Sequence, residues 1–302
     1  MTTSLSSLKA ILIPTLNRPA RHSIMPRLPF GPAIPRIIHQ TFYDRALPPE
    51  LQANVDSLRA RNPDWEYRFY DDADMLSFVR HEYGAAVLDK FERINPGYGA
   101  ARADLFRYLL MYKIGGLYLD IKSSATRPLS SVIRADDRLL LSNWDALDGS
   151  RTGWGDHYEL RGIAAGEFQQ WFIACAPGHP CMKAVLDTVI ANLDLYDPRL
   201  HGIGKRGVLR TTGPIPFTLG MHRTLAQHPH RVVDSARDLG LEYNLYRNQS
   251  HETSFRSHYT TQTAPLVRMR FARKCMSPIY GLVQYLHDKR IGYARRRAAG
   301  VR

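Results

Sequence analysis

The chain has 302 residues, 44% of them hydrophobic, and carries a formal net charge of +13. That length and composition allow a sizeable buried core, in one large domain or in one domain with a small annex. The chain has no run of about 18 apolar residues, so the sequence predicts no membrane-spanning helix. The three cysteines show neither a disulfide framework nor zinc-ligand spacing, which favours a reducing, cytoplasmic compartment.

The positive charge is concentrated at the two ends of the chain. Residues 1–36 carry five Lys and Arg and no acidic residue, and residues 265–302 carry ten Lys and Arg and one acid. The residues between them hold 26 bases and 27 acids, so this part is close to neutral. A domain that binds nucleic acid through its fold carries its basic excess in its body, so the distribution argues against a nucleic-acid partner.

Apolar periodicity predicts strands that alternate with helices from residue 35 onward. In chain order we expect a strand at 35–42, a helix at 48–63, a strand at 65–71, helices at 72–84 and 87–94, a helix ending at 114, strands at 117–121 and 138–145, a strand and turn at 170–180, and a helix at 181–193. This alternation predicts an α/β domain with a mostly parallel sheet. We expect the domain to occupy residues 34–264, between an irregular basic segment (1–33) and a basic amphipathic tail (265–302).

The segment GGLYLDIKSS (115–124) reads as a helix stop, a strand and a polar end. Because side chains alternate along a strand, Asp120 and Lys122 are expected on one face, at the end of the strand where parallel sheets bind ligands. Asp104 and Arg107 lie three residues apart on the preceding helix and share a face. Each pair alone is commonly a surface ion pair. Their combination at this spacing predicts a phosphate or metal site on one rim.

The block ARADLFRYLLMYKIGGLYLDIKSS (101–124) resembles the core of the DXD-motif sugar transferases of glycosyltransferase family 32, which include yeast mannosyltransferases and bacterial capsule and lipopolysaccharide transferases. Four further segments are similar to landmarks of that family: IPRIIHQTF (34–42), NPDWEYRFYDD (62–72), APGHP (176–180) and TTGP (211–214). The resemblance spans roughly residues 34–220, and its middle block is the specific part.

This resemblance implies the GT-A fold, a Rossmann-like sheet that binds a nucleotide sugar. It also implies transfer of a hexose, with retention at the anomeric carbon, to a glycan or lipid-linked glycan. The implied donor-site residues are Ile38, His39 and Gln40 by the nucleobase or ribose, Asp104 and Arg107 at the donor sugar and its phosphates, Tyr118 at the pyrophosphate, and Asp120 as the first Asp of the motif.

Lys122 departs from the family pattern. The family usually has a second Asp there, and the two carboxylates hold Mn²⁺ or Mg²⁺ against the pyrophosphate. A hard divalent cation needs several oxygen ligands, and an ammonium group repels it. Three interpretations stay open: Lys122 contacts a phosphate itself, Lys122 turns aside while Asp120 holds the metal with phosphates and water, or the protein is inactive.

Several other polar residues have both a structural and a functional interpretation. Asn143 and Trp144 either face the donor or acceptor sugar or form a turn with a packed Trp. Residues 150–160 are a lid or a plain loop. His251 and His258 lie where the family often has a late His at the metal or phosphate, although the surrounding sequence matches poorly.

The C-terminal tail places Ile279, Leu282, Val283 and Leu286 on one helical face, ahead of Arg295–Arg297. This pattern indicates either a packed helix or a peripheral anchor on the inner face of an anionic membrane. Two functions compete with sugar transfer. One is a basic adaptor that binds membrane or nucleic acid through its ends, and the other is an inactive sugar-binding module.

Overall fold

The computed structural model describes residues 13–20, 22–144, 153–246 and 262–298. Its strands in chain order are β1 (Ile37–Thr41), β2 (Glu66–Tyr70), β3 (Gly116–Leu119), β4 (Ser124–Ala125), β5 (Leu139–Leu141), β6 (Phe172–Cys175), β7 (Arg231–Val232) and β8 (Leu241–Glu242). Six of these strands form one sheet in the order β2-β1-β3-β6-β5-β7, and β4 pairs with β8 in a second, two-stranded sheet.

The main sheet is mostly parallel, as the sequence predicts. β1 is parallel to both β2 and β3, and β5 is parallel to β7. Only β6, of the strands described in this sheet, runs antiparallel to its neighbours, β3 and β5. The carboxyl ends of β1, β3 and β5 therefore lie along one edge of the sheet.

The helices between residues 48 and 195 lie at the positions expected from apolar periodicity, and three short helices between residues 198 and 222 were not assigned from it. In chain order the helices are α1 (Pro49–Arg61), α2 (Asp72–Arg93), α3 (Gly99–Lys113), α4 (Pro180–Leu195), α5 (Pro198–His201), α6 (Gly204–Thr211), α7 (Pro214–His222) and α8 (Phe271–Ala298). Gly84, at φ 72° and ψ −173°, interrupts α2, which accounts for the two separate helices predicted there. Among the described residues, no helix offers an apolar stretch long enough to cross a bilayer.

The two faces of the sheet pack against different apolar clusters. On one face Tyr118 joins the cluster built by α3 and α4, and on the other Leu117 and Leu119 join a second cluster with Phe172. This alternation is the period of a strand buried on both faces. α3 is buried almost all round, from Asp104 to Tyr112, so any polar group on it must be satisfied inside the protein.

The turn from α3 into β3 depends on Gly115. Its φ is +72°, and a Cβ built on it would lie 2.6 Å from the backbone nitrogen of Pro177 and 2.7 Å from the carbonyl oxygen of Cys175. Only glycine combines a left-handed backbone with so close an approach of a neighbouring strand. The turn sets the distance between the side chains of α3 and the end of β3.

Gly115→Ala should therefore lower the free energy of unfolding by at least ~2 kcal/mol, because the new methyl group meets backbone atoms that cannot rotate away. Gly99→Ala is the matched control. A Cβ at Gly99, the first residue of α3, meets nothing within 4 Å, so we expect a neutral or slightly stabilising effect. Urea unfolding of both variants measures the difference, and equal stabilities would contradict this account of the turn.

Candidate functional site

Arg107 is the centre of a buried cluster at the carboxyl end of β3. Its guanidinium contacts the carboxylates of Asp120 (Nη1 to Oδ1, 3.0 Å) and Asp104 (Nη2 to Oδ1, 3.2 Å). It also donates to the carbonyl oxygen of Gln170 at 2.9 Å and lies over the ring of Tyr118, 4.8 Å from the centroid. The structure thus brings together Asp104, Arg107 and Asp120, as predicted. Arg107 is 6% exposed, so the cluster is not the exposed ion pair that its sequence spacing also allowed.

Asp120 faces outward from this cluster and keeps about a quarter of its side chain exposed. Its Oδ1 accepts hydrogen bonds from Arg107 and, at 3.3 Å, from the hydroxyl of Tyr118. Its backbone nitrogen donates to the carbonyl oxygen of Trp171 at 2.8 Å, which ties the residue to β6. Within the described part of the chain no donor reaches Oδ2, so this oxygen is available to a ligand.

Asp104 lies deeper, with 2% of the residue exposed. Its Oδ2 accepts a hydrogen bond from the hydroxyl of Thr212 at 3.0 Å. Burial raises the pKa of the Asp104 carboxyl to about 6, while Arg107 and Thr212 act in the opposite direction. The sequence predicts Thr212–Gly213–Pro214 as a turn that caps a helix near the active site; Gly213 does precede α7, and the hydroxyl of Thr212 contacts Asp104.

This raised pKa predicts a pH dependence of stability. An acid whose folded-state pKa lies above its usual 3.8 contributes most to folding below that value, and the contribution is lost as the pH rises through about 6. Asp104→Asn cannot ionise, so relative to the wild type it should gain about 2 kcal/mol in unfolding free energy between about pH 4 and pH 7. Urea unfolding at both pH values tests this. The exposed Asp136→Asn should show no such change. If the difference in unfolding free energy between Asp104→Asn and the wild type is the same at both pH values, the raised pKa of Asp104 is contradicted.

The sequence predicted that Lys122 and Asp120 share one face of a strand, and this prediction was wrong. β3 ends at Leu119, and residues 120–123 form a turn in which the backbone nitrogen of Ser123 donates to the carbonyl oxygen of Asp120 at 2.8 Å. Lys122 is 8% exposed, and its ammonium lies 4.8 Å from the centroid of the Tyr243 ring. Burial lowers the pKa of the Lys122 amine, with Asp120 opposing that effect.

The three residues predicted near the nucleobase lie in the core under this edge. Ile38 and His39 are fully buried, and both ring nitrogens of His39 are engaged, by the hydroxyl of Tyr70 at 3.1 Å and the carbonyl oxygen of Gly115 at 3.0 Å. Burial lowers the pKa of His39 to about 4, so the ring is neutral at pH 7. Gln40 donates to the carbonyl oxygen of Asp120 at 3.2 Å. These contacts support the end of β3, and the nucleobase role stays a prediction.

Asn143 and Trp144 follow β5, and the ring of Trp144 contacts Tyr243, whose ring also lies beside the ammonium of Lys122. The indole nitrogen of Trp144 donates to the carboxylate of Glu167 at 2.6 Å, and the amide of Asn143 donates to the carbonyl oxygen of Glu167 at 3.0 Å. The ring of Trp144 packs edge-on against Tyr243 and against Trp154, which is 52% exposed. The predicted sugar contacts of Asn143 and Trp144 stay predictions.

Four residues of this neighbourhood were not predicted from the sequence. They are Glu167, Gln170, Trp171 and Tyr243. Each is brought to the site by pairing or packing between distant segments, and none lies in a short motif. His251 and His258, proposed from the resemblance, lie outside the described residues.

The donor set does not fit a divalent cation. Among the described residues, no three His, Cys, Asp or Glu side chains are grouped to hold a metal ion. Asp104 is committed to Arg107 and Thr212, which leaves Asp120 as the one carboxylate that the described residues place at the rim. Mn²⁺ and Mg²⁺ bind several oxygen ligands. At position 122 this chain has Lys where the DXD motif has its second Asp.

The region that holds this cluster matches a known family. Residues 48–140 match the glycosyltransferase sugar-binding region containing the DXD motif. This matched segment of the chain is similar to that family. The match runs from α1 to β5, so Asp104, Arg107, Asp120 and Lys122 all lie inside it.

Two relatives in Schizosaccharomyces pombe extend the comparison. The initiation-specific alpha-1,6-mannosyltransferase is 28% identical over 211 residues, which cover 65% of this chain and 51% of the relative. Inositol phosphoceramide mannosyltransferase 3 is 34% identical over 101 residues, covering 33% of this chain and 28% of the relative. The chain therefore spans about half the length of the first relative and less of the second.

A solved structure resembles this chain in its fold. The UDP-bound glycosyltransferase domain of the YGT toxin superposes with a TM-score of 0.50 at 8% identity, covering 73% of this chain and 82% of that domain. At this level of identity the likeness concerns the fold alone. The predicted GT-A fold, an α/β domain with a mostly parallel sheet and a C-terminal helix, is confirmed.

Proposed function

We propose that the protein is a glycosyltransferase that moves a hexose from a nucleotide sugar to a glycan or lipid-linked glycan. The observation that carries the proposal is the cluster of Asp104, Arg107 and Asp120 at the carboxyl end of β3, inside the region matched by the family. Open α/β sheets bind their ligands at this edge. The retaining outcome implied by the resemblance is part of the proposal.

In this proposal the cluster acts by position. The guanidinium of Arg107 contacts four groups: the carbonyl oxygens of Ala103 and Gln170 and the carboxylates of Asp104 and Asp120. These contacts fix its position, and the guanidinium in turn holds Oδ1 of Asp120. Oδ2 of Asp120 is then oriented to accept a hydrogen bond from a ligand hydroxyl at the rim. A preorganised site of this kind favours the transition state because no side chain has to reorder during the reaction.

The donor is tested by a panel of nucleotide sugars on the full chain. Thermal shift gives binding, and mass spectrometry of the released nucleotide and of an added glycan gives hydrolysis and transfer. Stabilisation by one donor followed by transfer supports the proposal. Binding with neither transfer nor hydrolysis would indicate the inactive sugar-binding module, and no binding to any donor would favour the basic adaptor.

We propose that the acceptor meets the aromatic wall formed by Trp144, Trp154 and Tyr243, because aromatic rings offer flat apolar faces to sugar rings. Two relatives bear names that specify mannosyl transfer, and one of these names includes inositol phosphoceramide. These names support mannose as the hexose and a lipid-bearing acceptor as candidates. A role in capsule or lipopolysaccharide synthesis stays a prediction from the resemblance.

We further propose that the protein is cytoplasmic and docks on an anionic lipid surface through α8. One face of this helix lies against the domain, with Ser277 and Tyr280 buried. The opposite face exposes apolar side chains three to four residues apart, including Ile279, Leu282 and Leu286. Residues 265–302 carry ten Lys and Arg, and each base near an anionic leaflet contributes about 1 kcal/mol of attraction.

Co-sedimentation with vesicles that contain an anionic phospholipid tests this docking. Leu282→Glu should weaken binding at least ~10-fold, since it places a charge at the centre of the apolar face. Val232→Glu introduces the same charged side chain at an exposed apolar position on β7 and should leave binding unaltered. Equal vesicle binding by both variants would overturn the proposal. It would also be overturned if the wild type does not bind vesicles but forms a dimer that Leu282→Glu dissociates.

A further inference from the structure

The charges around the rim differ from those of a metal-binding motif. Asp104 and Asp120 contribute two negative charges, and Arg107 and Lys122 contribute two positive charges, so the formal charges cancel. With Asp at position 122 the same four positions would carry two net negative charges. A site without net negative charge and with one open carboxylate has little affinity for a divalent cation.

Lys122 is held in place by contacts that leave its ammonium available. The side-chain amide of Asn54 donates to the carbonyl oxygens of Ile121 (3.1 Å) and Ser123 (2.9 Å), and the backbone nitrogen of Leu245 donates to the carbonyl oxygen of Lys122 at 2.9 Å. The turn is therefore fixed on both sides of the residue. The ammonium itself has an aromatic ring beneath it and makes no hydrogen bond or ion pair to any described residue.

The ammonium group of a lysine usually stays in water, where its charge is solvated, even when the rest of the side chain is buried. Lys122 is instead mostly buried, with its ammonium over the face of Tyr243 and with the charge of Asp120 acting on it. A cation–π contact offsets only part of the cost of removing an ammonium from water. An anionic ligand at the rim would form the direct ion pair that no described carboxylate makes with this ammonium.

We propose that the ammonium of Lys122 replaces the divalent cation and pairs with the diphosphate of the nucleotide-sugar donor. This inference rests on the proposed transferase activity. In the reaction, the bond between the anomeric carbon and the diphosphate oxygen breaks, and its electron pair stays on that oxygen. A bond forms between the anomeric carbon and the acceptor oxygen, and the acceptor proton passes to the leaving diphosphate. Lys122 stabilises the negative charge that develops on the diphosphate.

The test compares the full chain in EDTA and in Mn²⁺, with three substitutions at position 122. The wild type should transfer sugar equally in both conditions. Lys122→Met should lose about 100-fold in kcat in either condition. Lys122→Asp should be as poor in EDTA and recover at least ~10-fold on addition of Mn²⁺, because it restores a second carboxylate. Lys122→Arg keeps the charge and should stay independent of metal.

Binding of the nucleoside diphosphates GDP and UDP, measured by calorimetry, gives a readout apart from turnover. The wild type should bind one of them with the same Kd in EDTA and Mn²⁺, and Lys122→Met should bind it more weakly. Wild-type transfer that requires Mn²⁺ would overturn this inference and leave the proposed function standing, as would full activity of Lys122→Met in EDTA. A wild type that neither binds nor transfers any donor would overturn the proposed function instead.

Discussion

Asp120→Asn is expected to reduce sugar transfer by about 100- to 1000-fold without unfolding the protein. The substitution keeps the size of the side chain and an oxygen that can accept from Arg107 and Tyr118. It removes the negative charge that balances Arg107 at the rim and the charged acceptor available to a ligand. The loss should appear mainly in kcat, with urea unfolding changed by no more than about 1 kcal/mol because the side chain is partly exposed.

Asp136→Asn is the matched control, since Asp136 is exposed in a turn before β5 and is not part of the cluster. It should leave both transfer and stability unaltered. Transfer by Asp120→Asn within about tenfold of the wild type would contradict the role of Asp120. The basic adaptor makes that opposite prediction, because its function would not involve residue 120.

The sequence was sufficient to predict the cluster because local rules determine its geometry. Asp104 and Arg107 are three residues apart on a helix, and Gly115 ends that helix by turning directly into β3. The helix period, the glycine and the strand therefore relate residue 104 to residue 120 through a short, rigid segment. The expectation of a mostly parallel sheet likewise placed the end of β3 at the edge where such sheets bind ligands.

The sequence was not sufficient where contacts between distant segments decide the outcome. The alternation rule assigned Lys122 to the strand face of Asp120, but hydrogen bonds from Asn54 and Leu245 hold residues 121–123 in a turn. His39 looked available to a nucleotide, yet Tyr70 and Gly115 occupy both of its nitrogens. No periodicity reports such pairings, because each partner lies tens of residues away.

Arg107→Met should cost about 3–5 kcal/mol of unfolding free energy, the larger structural effect that we expect at this site. Methionine fills much of the same space but leaves Asp104 buried without its cation, and it removes the donor to Gln170. Arg36→Met is the matched control, because the Arg36–Asp64 pair is similarly close (3.1 Å) but largely exposed. An exposed pair contributes about 0–1 kcal/mol, so this variant should remain near wild-type stability.

A double substitution separates lost charge from lost packing. If the cost of Arg107→Met comes from stranding the Asp104 carboxylate, adding Asp104→Asn should restore about 1–3 kcal/mol, since the neutral amide no longer needs a cation. If the cost comes from packing alone, the two losses should add. Urea unfolding near pH 7, where Asp104 is ionised in the wild type, gives the clearest contrast. Because the same guanidinium positions Asp120, the double variant should regain stability while transfer stays low, which would show that the charge of Arg107 serves both the fold and the site.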